Sequence, residues 1–231
     1  MKSPAEKQNS NLMREMFGAI APRYDFVTRV LSYGMDRGWK RMGVTNAAVR
    51  EDAVVLDLAS GTGDFCHLVR ERLPRAKLIA VDLSQRMVRQ AQRRGFGNVV
   101  CGDATSLPFP EGSFDCVFIG YGLRNFPDLN KALQEIQRVM RPGGRMVSLD
   151  FFLPANRMFR QLYLAFLYLQ GAFWGFLLHG HPRLYTYIPD SLSSFVSMQG
   201  LTSLLESMGF APVKARAYIF GDIGLHWAVK E

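Results

Sequence analysis

Residues 56–64 read Leu-Asp-Leu-Ala-Ser-Gly-Thr-Gly-Asp, and this stretch constrains the fold more than any other. The apolar run Ala53 to Ala59 predicts a strand that ends in a loop carrying Gly61 and Gly63, with a helix from Phe65. Glycines at such a turn let the backbone approach a ligand where a Cβ would clash. The helix beyond them offers N–H groups without intrahelical partners. Asp82 follows nineteen residues after Gly63 and closes a second apolar run, Leu78 to Val81. An acid there can accept both hydroxyls of a ribose. The opening therefore reads as a βαβ unit that binds a nucleoside.

The same loop narrows the choice of nucleoside. A dinucleotide fingerprint would need a third glycine where Cys66 stands. No basic residue lies in the loop to meet a pyrophosphate; Asp64 is there instead. That acid predicts a loop tolerant of a cation, such as the sulfonium of S-adenosylmethionine. A tight βα turn with no ligand is the alternative on these residues alone.

Alternation of strands and helices continues. Asn98 to Asp103 and Phe114 to Gly120 predict strands three and four. Lys131 to Met140 predicts a helix with Leu133, Ile136 and Met140 on one face, stopped by Arg141-Pro142-Gly143-Gly144. Arg145 to Phe151 predicts strand five, and Val213 to Phe220 with Ile223 to Lys230 a hairpin about Gly221-Asp222. The expected fold is α/β, a doubly wound, mostly parallel seven-stranded sheet with a terminal antiparallel hairpin. A single domain is expected over residues 1–231: a helical cap (1–45), a cofactor-binding core (46–152), an inserted substrate lid (153–211) and the last strands (212–231). Ligands bind at the carboxyl ends of parallel strands, where Asp57, Asp82, Asp103 and Gly120 fall.

Charge and cysteines bound the partners. The net charge is +8. Arg86, Arg89 and Arg93 share one helical face opposite Met87, Val88 and Ala91, which reads as a solvated face or as attraction to anionic lipid. The arginines lack interleaved aromatics, so no nucleic acid is expected. Cys66, Cys101 and Cys116 fit neither a disulfide framework nor a metal site, so a cytoplasmic setting and no metal are expected. Met1 to Asn11 is polar and has no apolar run of the kind a secretory signal carries.

Several motifs, in order, resemble one family, the S-adenosylmethionine-dependent C-methyltransferases of menaquinone and ubiquinone biosynthesis. They are Phe17-Gly-Ala-Ile-Ala-Pro-Arg-Tyr-Asp25, Leu31 to Lys40, Asp57 to Asp64, Gly102 to Phe109, Gly122-Leu-Arg-Asn125, Arg138 to Gly144, Tyr185 to Ser191 and Gly224-Leu-His226. Gly122-Leu-Arg-Asn125 marks the quinone branch. The chain departs from the family pattern at Thr28, Asp36, Ser60, Asp150 and Gly221-Asp222, which bears on the particular quinone.

The resemblance implies a class I, Rossmann-like methyltransferase that acts on a prenylated quinol, demethylmenaquinol first. It implies Gly61, Thr62 and Gly63 at the methionine end of the cofactor with Asp57, Asp82 at the ribose, Asp103 and Ala104 at the adenine, and Gly120 lining the pocket. Arg124, Asn125, Tyr24 and Asp25 would carry the chemistry. An arginine stays protonated in almost any setting, so Arg124 suits stabilisation of a phenolate better than base catalysis. Asp25 or a water would take the proton, with His226 a second candidate base. A salt bridge from Arg124 to Asp115 or Asp128 is its structural alternative.

The apolar stretch 158–178, interrupted by Gln170, Gly171 and Gly175, reads as a lid for a prenyl tail that touches the bilayer, in preference to a core helix or a span. Peripheral contact at the inner face of the membrane and a homodimer stay open as partners. Other acceptors, a dehydrogenase and an idle scaffold are the competing functions.

Overall fold

The computed structural model describes residues 10–231; the polar stretch before Ser10 lies outside the described residues. Three helices come first, α1 (Ser10–Ile20), α2 (Tyr24–Leu31) and α3 (Asp36–Ala47). Then β1 (Val54–Leu58), α4 (Asp64–Arg72), β2 (Lys77–Asp82), α5 (Gln85–Arg93), β3 (Val99–Cys101) and β4 (Phe114–Gly120) alternate. After α6 (Leu129–Val139) and β5 (Met140–Phe151) come α7 (Arg157–His179), α8 (Tyr187–Ser194) and α9 (Met198–Ser207). The strands β6 (Phe210–Tyr218) and β7 (Ile223–Lys230) end the chain.

All seven strands share one sheet in the order β3-β2-β1-β4-β5-β7-β6. The first five run parallel, with Leu56 opposite Ile79 on one side and Val117 on the other. β7 pairs antiparallel with β5 and β6. Strands buried on both faces need near-continuous apolar sequence. β1 and β4 supply it with Val55, Leu56, Leu58, Cys116, Val117, Phe118 and Ile119, all at most 1% exposed. One apolar core lies between the sheet and α3, α4 and the 153–192 region. A second lies under α6 and α9, and a smaller third joins Cys66 and Ala80 to Val88, Ala91, Phe96 and Val99 around α5.

Local signals place the helix starts. Asp128 accepts from Lys131 N at 3.0 Å, Asn156 from Met158 N at 2.9 Å, and Ser197 from Gly200 N at 3.0 Å, each capping a helix. Met87, Val88 and Ala91 are buried while Arg86, Arg89 and Arg93 face outward. One boundary moved. Met140 is buried as expected but opens β5 rather than closing α6, and Arg141 to Gly144 ride on that strand with a register shift between Phe114 and Cys116.

Candidate active site

Three adjoining cavities open at the carboxyl ends of β1, β2 and β4. The first, of about 630 Å³, is lined by Phe17, Gly61, Asp82, Asp103, Ala104, Gly120 and Asn125 among others. The second, about 300 Å³, is bounded by Lys40, Asp57, Ser60, Gly61, Thr62 and Asp64. The third, about 310 Å³, is enclosed by Thr28, Arg124, Phe151, Tyr185, Tyr187 and Ile188. Tyr24 and Tyr121 line all three and form the junction between them.

Asp82 is nearly buried. Its two oxygens accept from Gly61 N and Ser84 N, both at 2.8 Å. Burial pushes its carboxyl up to about 6, against the pull of those two amides. Such a carboxylate gains from further donors, and a ribose diol brings two. Asp103 Oδ1 accepts from Thr105 N and Oγ1 at 2.9 and 2.8 Å, which fixes its side chain at the rim of the same cavity.

At the second cavity Asp57 accepts from Cys66 N at 3.0 Å and Cys66 Sγ at 3.1 Å. Burial lifts its carboxyl to about 7. Lys40 also lines this cavity, and sequence reasoning did not single it out. Its Nζ lies 2.7 Å from Asp64 and 3.2 Å from Asp36, and 5.4 Å from the Tyr121 ring centroid. Burial works against its charge, but the two carboxylates outweigh it and hold its pKa above the ordinary lysine value. Asp36 and Lys40 stand at i and i+4 on one helix, the spacing that could have revealed the pair. The loop is therefore not simply acidic: Lys40 and Arg94 both face Asp64, and Lys40 keeps its carboxyl below the usual range.

The glycine loop divides in its roles. Gly61 (φ +55) lines two cavities with Tyr24 against it. Gly63 (φ +93) lines none of the three; a Cβ there would sit 2.8 Å from two atoms of the Phe96 ring. Its place is set by the turn and by helix packing. Gly63→Ala should therefore cost about 2–4 kcal/mol, from backbone strain plus overpacking. In a chain of this size that is a Tm lower by roughly 4–16 °C in a thermal melt. An unchanged Tm would show that the turn has slack.

Arg124 follows β4 in a short 3-10 turn, Leu123–Asn125, and its side chain is 3% exposed. It pairs with Asp150, not with Asp115 or Asp128. Asp115 instead holds Val54 N and Arg141, and Asp128 caps α6. Arg124 Nη1 also donates to Tyr121 O at 3.0 Å, and the guanidinium lies 5.2 Å from the Phe151 ring centroid. The neighbouring Asp150 carboxylate keeps it protonated despite its burial. Asn125 donates to Tyr121 O at 3.0 Å and reaches the first cavity.

Two expected bases are elsewhere. Asp25 is held by Arg94 and by Thr62 Oγ1 at 2.5 Å, and it latches α2 onto the cofactor loop. His226 is buried in β7 with one ring nitrogen 3.2 Å from Met198 O, outside all three cavities. Burial lowers its pKa to about 4. Nor does any residue of α7 line the three cavities; the 153–211 region reaches the third one through Tyr185, Tyr187 and Ile188.

Three buried polar atoms without a protein partner gather here: Ser60 Oγ, the Tyr121 hydroxyl and Arg124 Nε. Buried polar groups are normally satisfied, so their convergence on the cavities fits polar ligands. Ala59 (φ +53) and Tyr121 (φ +59), both left-handed without being glycine, stand just beyond β1 and β4 at this spot. Such backbone strain clusters at working sites.

A cavity with a strand-end acid at the ends of β1 and β2, joined to a second one holding a buried cation, has the form of a site for a nucleoside donor of a transferable group. The fold is shared with an S-adenosylmethionine-dependent methyltransferase of Thermotoga maritima, at a TM-score of 0.66 and 19% identity, covering 95% of this chain and 100% of that one. The sequence is 37% identical over 227 residues to the demethylmenaquinone methyltransferase of Deinococcus radiodurans, spanning 95% of this chain and 93% of that protein. It is 38% identical over 216 residues to the one of Thermus thermophilus, spanning 91% and 98%. Residues 5–230 match the ubiE/COQ5 methyltransferase family, and the chain belongs to it. It is an enzyme that uses S-adenosylmethionine.

Proposed function

We propose that the chain transfers the methyl group of S-adenosylmethionine to a ring carbon of a prenylated quinol, demethylmenaquinol in the first instance. The observation that carries the reading is Arg124, a buried cation with an unpartnered Nε at the wall of an aromatic-lined cavity. The names of the Deinococcus and Thermus relatives point to the same acceptor.

In this reading the first cavity takes the adenosine, with Asp82 on the ribose and Asp103 and Ala104 at the adenine. The second takes the methionine end, with Lys40 on its carboxylate and Asp57 and Asp64 near its ammonium. When bound, S-adenosylmethionine supplies an electrophilic methyl group that passes to carbon as the sulfur takes back the bonding pair. Tyr24 and Tyr121 set the line between donor and acceptor at the junction of the cavities. Arg124 binds the ring oxygen, whose charge delocalises to the attacking carbon. Phe151, Tyr185 and Tyr187 hold the ring. Such orientation alone can contribute about 7–11 kcal/mol. No carboxylate or imidazole lines the third cavity, so the hydroxyl proton leaves to water while the Arg124 cation favours the phenolate; once the carbon–methyl bond has formed, the hydrogen on that carbon leaves to water as a proton, and the ring regains its aromaticity and its hydroxyl.

Thr28 lines the third cavity and Asp150 pairs with its arginine, so one departure from the family pattern faces the acceptor and a second acts on it through Arg124. They favour a second reading, another small aromatic acceptor of the same enzyme class. A quinone profile of cells lacking the protein separates the two. A desmethyl quinone should accumulate; an unchanged profile would reject the quinol. The tail gives a further expected result. Each buried CH₂ contributes about 0.8 kcal/mol, so kcat/KM for a tailed quinol should exceed that for the bare ring by about tenfold or more, with a modest change in kcat. Equal values would place the tail outside the protein. A prenylated acceptor partitions into lipid, so the enzyme would work at the membrane edge.

A further inference from the structure

The helix α7 turns an apolar face outward along its length, with Phe159, Leu162, Leu169, Phe173, Phe176 and Leu177 all exposed. Leu169 is 73% exposed. At about 1.5 Å per residue the helix runs roughly 34 Å. Phe220, in the β6–β7 turn and 84% exposed, stacks 6.4 Å from Phe159. Phe26 of α2, also exposed, packs 5.4 Å from Trp174. Three elements thus join in one apolar surface, far beyond the single exposed side chains that water tolerates.

The composition of α7 would allow it to cross a bilayer, and only 17% of its most apolar window is buried. Its inner face argues for lying flat. A Cβ at Gly171 would come within 3.0 Å of the Tyr185 backbone, and one at Gly175 within 2.6 Å of His181 O. The helix is seated on the 181–185 backbone, and spanning would strip that contact.

Charge selects the occupant. Between Asp150 and Asp190 the sequence has no acid, while Arg157, Arg160 and Arg183 fall inside that stretch. Arg157 and Arg160 are exposed at the start of α7. A second copy would bring the same positive charge against it. An apolar helix face flanked by arginines matches an anionic lipid surface.

We propose that α7, with Phe26 and Phe220, is a docking face for an anionic bilayer, the helix lying in the plane of the interface. Phe26 adjoins Val27 and Thr28, which line the third cavity. Docking therefore sets that cavity beside the lipid in which a prenylated ring would reside. This delivery rests on the quinol reading; the docking itself does not.

Flotation of the purified chain with phosphatidylcholine vesicles containing phosphatidylglycerol tests it. The chain should float with them, and at least about fivefold less with phosphatidylcholine alone. Leu169→Glu with Phe173→Glu should lower the floating fraction about tenfold or more. Melting temperature and S-adenosylmethionine affinity should hold, since both side chains are exposed and outside the cavities. Brominated lipid should quench tryptophan emission in the unsubstituted chain, and Trp174→Phe should remove that quenching. A chain that stays in the bulk with anionic vesicles, or a double variant that floats equally well, would overturn the proposal. A dimer in solution that the double variant splits would assign the face to a second copy and overturn it too. Methylation of a tailed quinol dispersed in detergent, with no bilayer present, reports on the acceptor separately. Its absence would sink the quinol reading and leave the flotation result standing.

Discussion

Arg124→Ala is expected to lower kcat by about 10²–10³, the usual loss when a preorganised donor to a developing oxyanion is removed. S-adenosylmethionine affinity should stay within about twofold, because Arg124 lines the third cavity and neither of the other two. The fold will suffer as well. Removing the guanidinium leaves Asp150 buried without its partner, which costs about 3–5 kcal/mol. Arg124→Ala with Asp150→Asn separates the effects: stability should largely return while activity does not. Arg124→Lys keeps the cation and loses the fork of donors. If the arginine stabilises a phenolate, this variant keeps partial activity and the basic limb of its pH–rate profile stays put. Were Arg124 the base, a lysine of reference pKa about 10.4 would shift that limb to lower pH. A shifted limb would sink the assignment, and full activity in Arg124→Ala would sink either role.

Asp82→Ala should weaken S-adenosylmethionine binding by about ten- to a hundredfold, from the loss of about 1.5–3 kcal/mol of charge-assisted hydrogen bonding. A carboxyl pushed up to about 6 adds a pH signature. If the ionised form accepts the ribose hydroxyls, affinity should be flat well above pH 6 and fall about tenfold per unit below it. Asp82→Asn should flatten that limb. The ligand-free chain should show the opposite sign to a salt-bridged carboxylate. Its folded pKa lies above the unfolded value, so stability from this group is present in acid and is lost as pH rises from about 4 through about 6. Calorimetry across pH 5–8 and melts of the ligand-free protein measure both effects. Unchanged affinity in folded Asp82→Ala would remove Asp82 from the site.

The cofactor end was legible in the sequence because its parts are local. A glycine turn, a strand-end acid and a helix start within one βαβ unit have their geometry set by neighbours a few residues away. Gly61 and Asp82 come together for that reason, and Asp103 and Gly120 join them because the sheet order sets the ends of β3, β2, β1 and β4 side by side. Gly63 shows the limit. Its positive φ belongs to the turn, but only the Phe96 ring that arrives from beyond α5 makes its missing side chain a packing requirement. The acceptor end was legible as a motif and not as an arrangement. Arg124 was singled out, yet its partner comes from the end of β5, a strand whose place beside β4 no local signal dictates.

By itself the sequence determined the alternation of strands and helices, the apolar faces that cover the sheet, and the chemistry available at the strand ends. These follow from periodicity, caps and turn residues, which act over one or two turns of chain. Tertiary structure alone decided the order in which β7 slots between β5 and β6, the burial of Lys40 between Asp36 and Asp64, and the latch of Asp25 on Arg94. It also left α7 facing outward while α8 supplies the cavity wall. The physical reason is common to all four. Burial and charge pairing depend on which distant surfaces meet, and desolvation then changes what each side chain can do: Asp25 becomes a strut, His226 a neutral core residue, and Arg124 a cation held beside the third cavity.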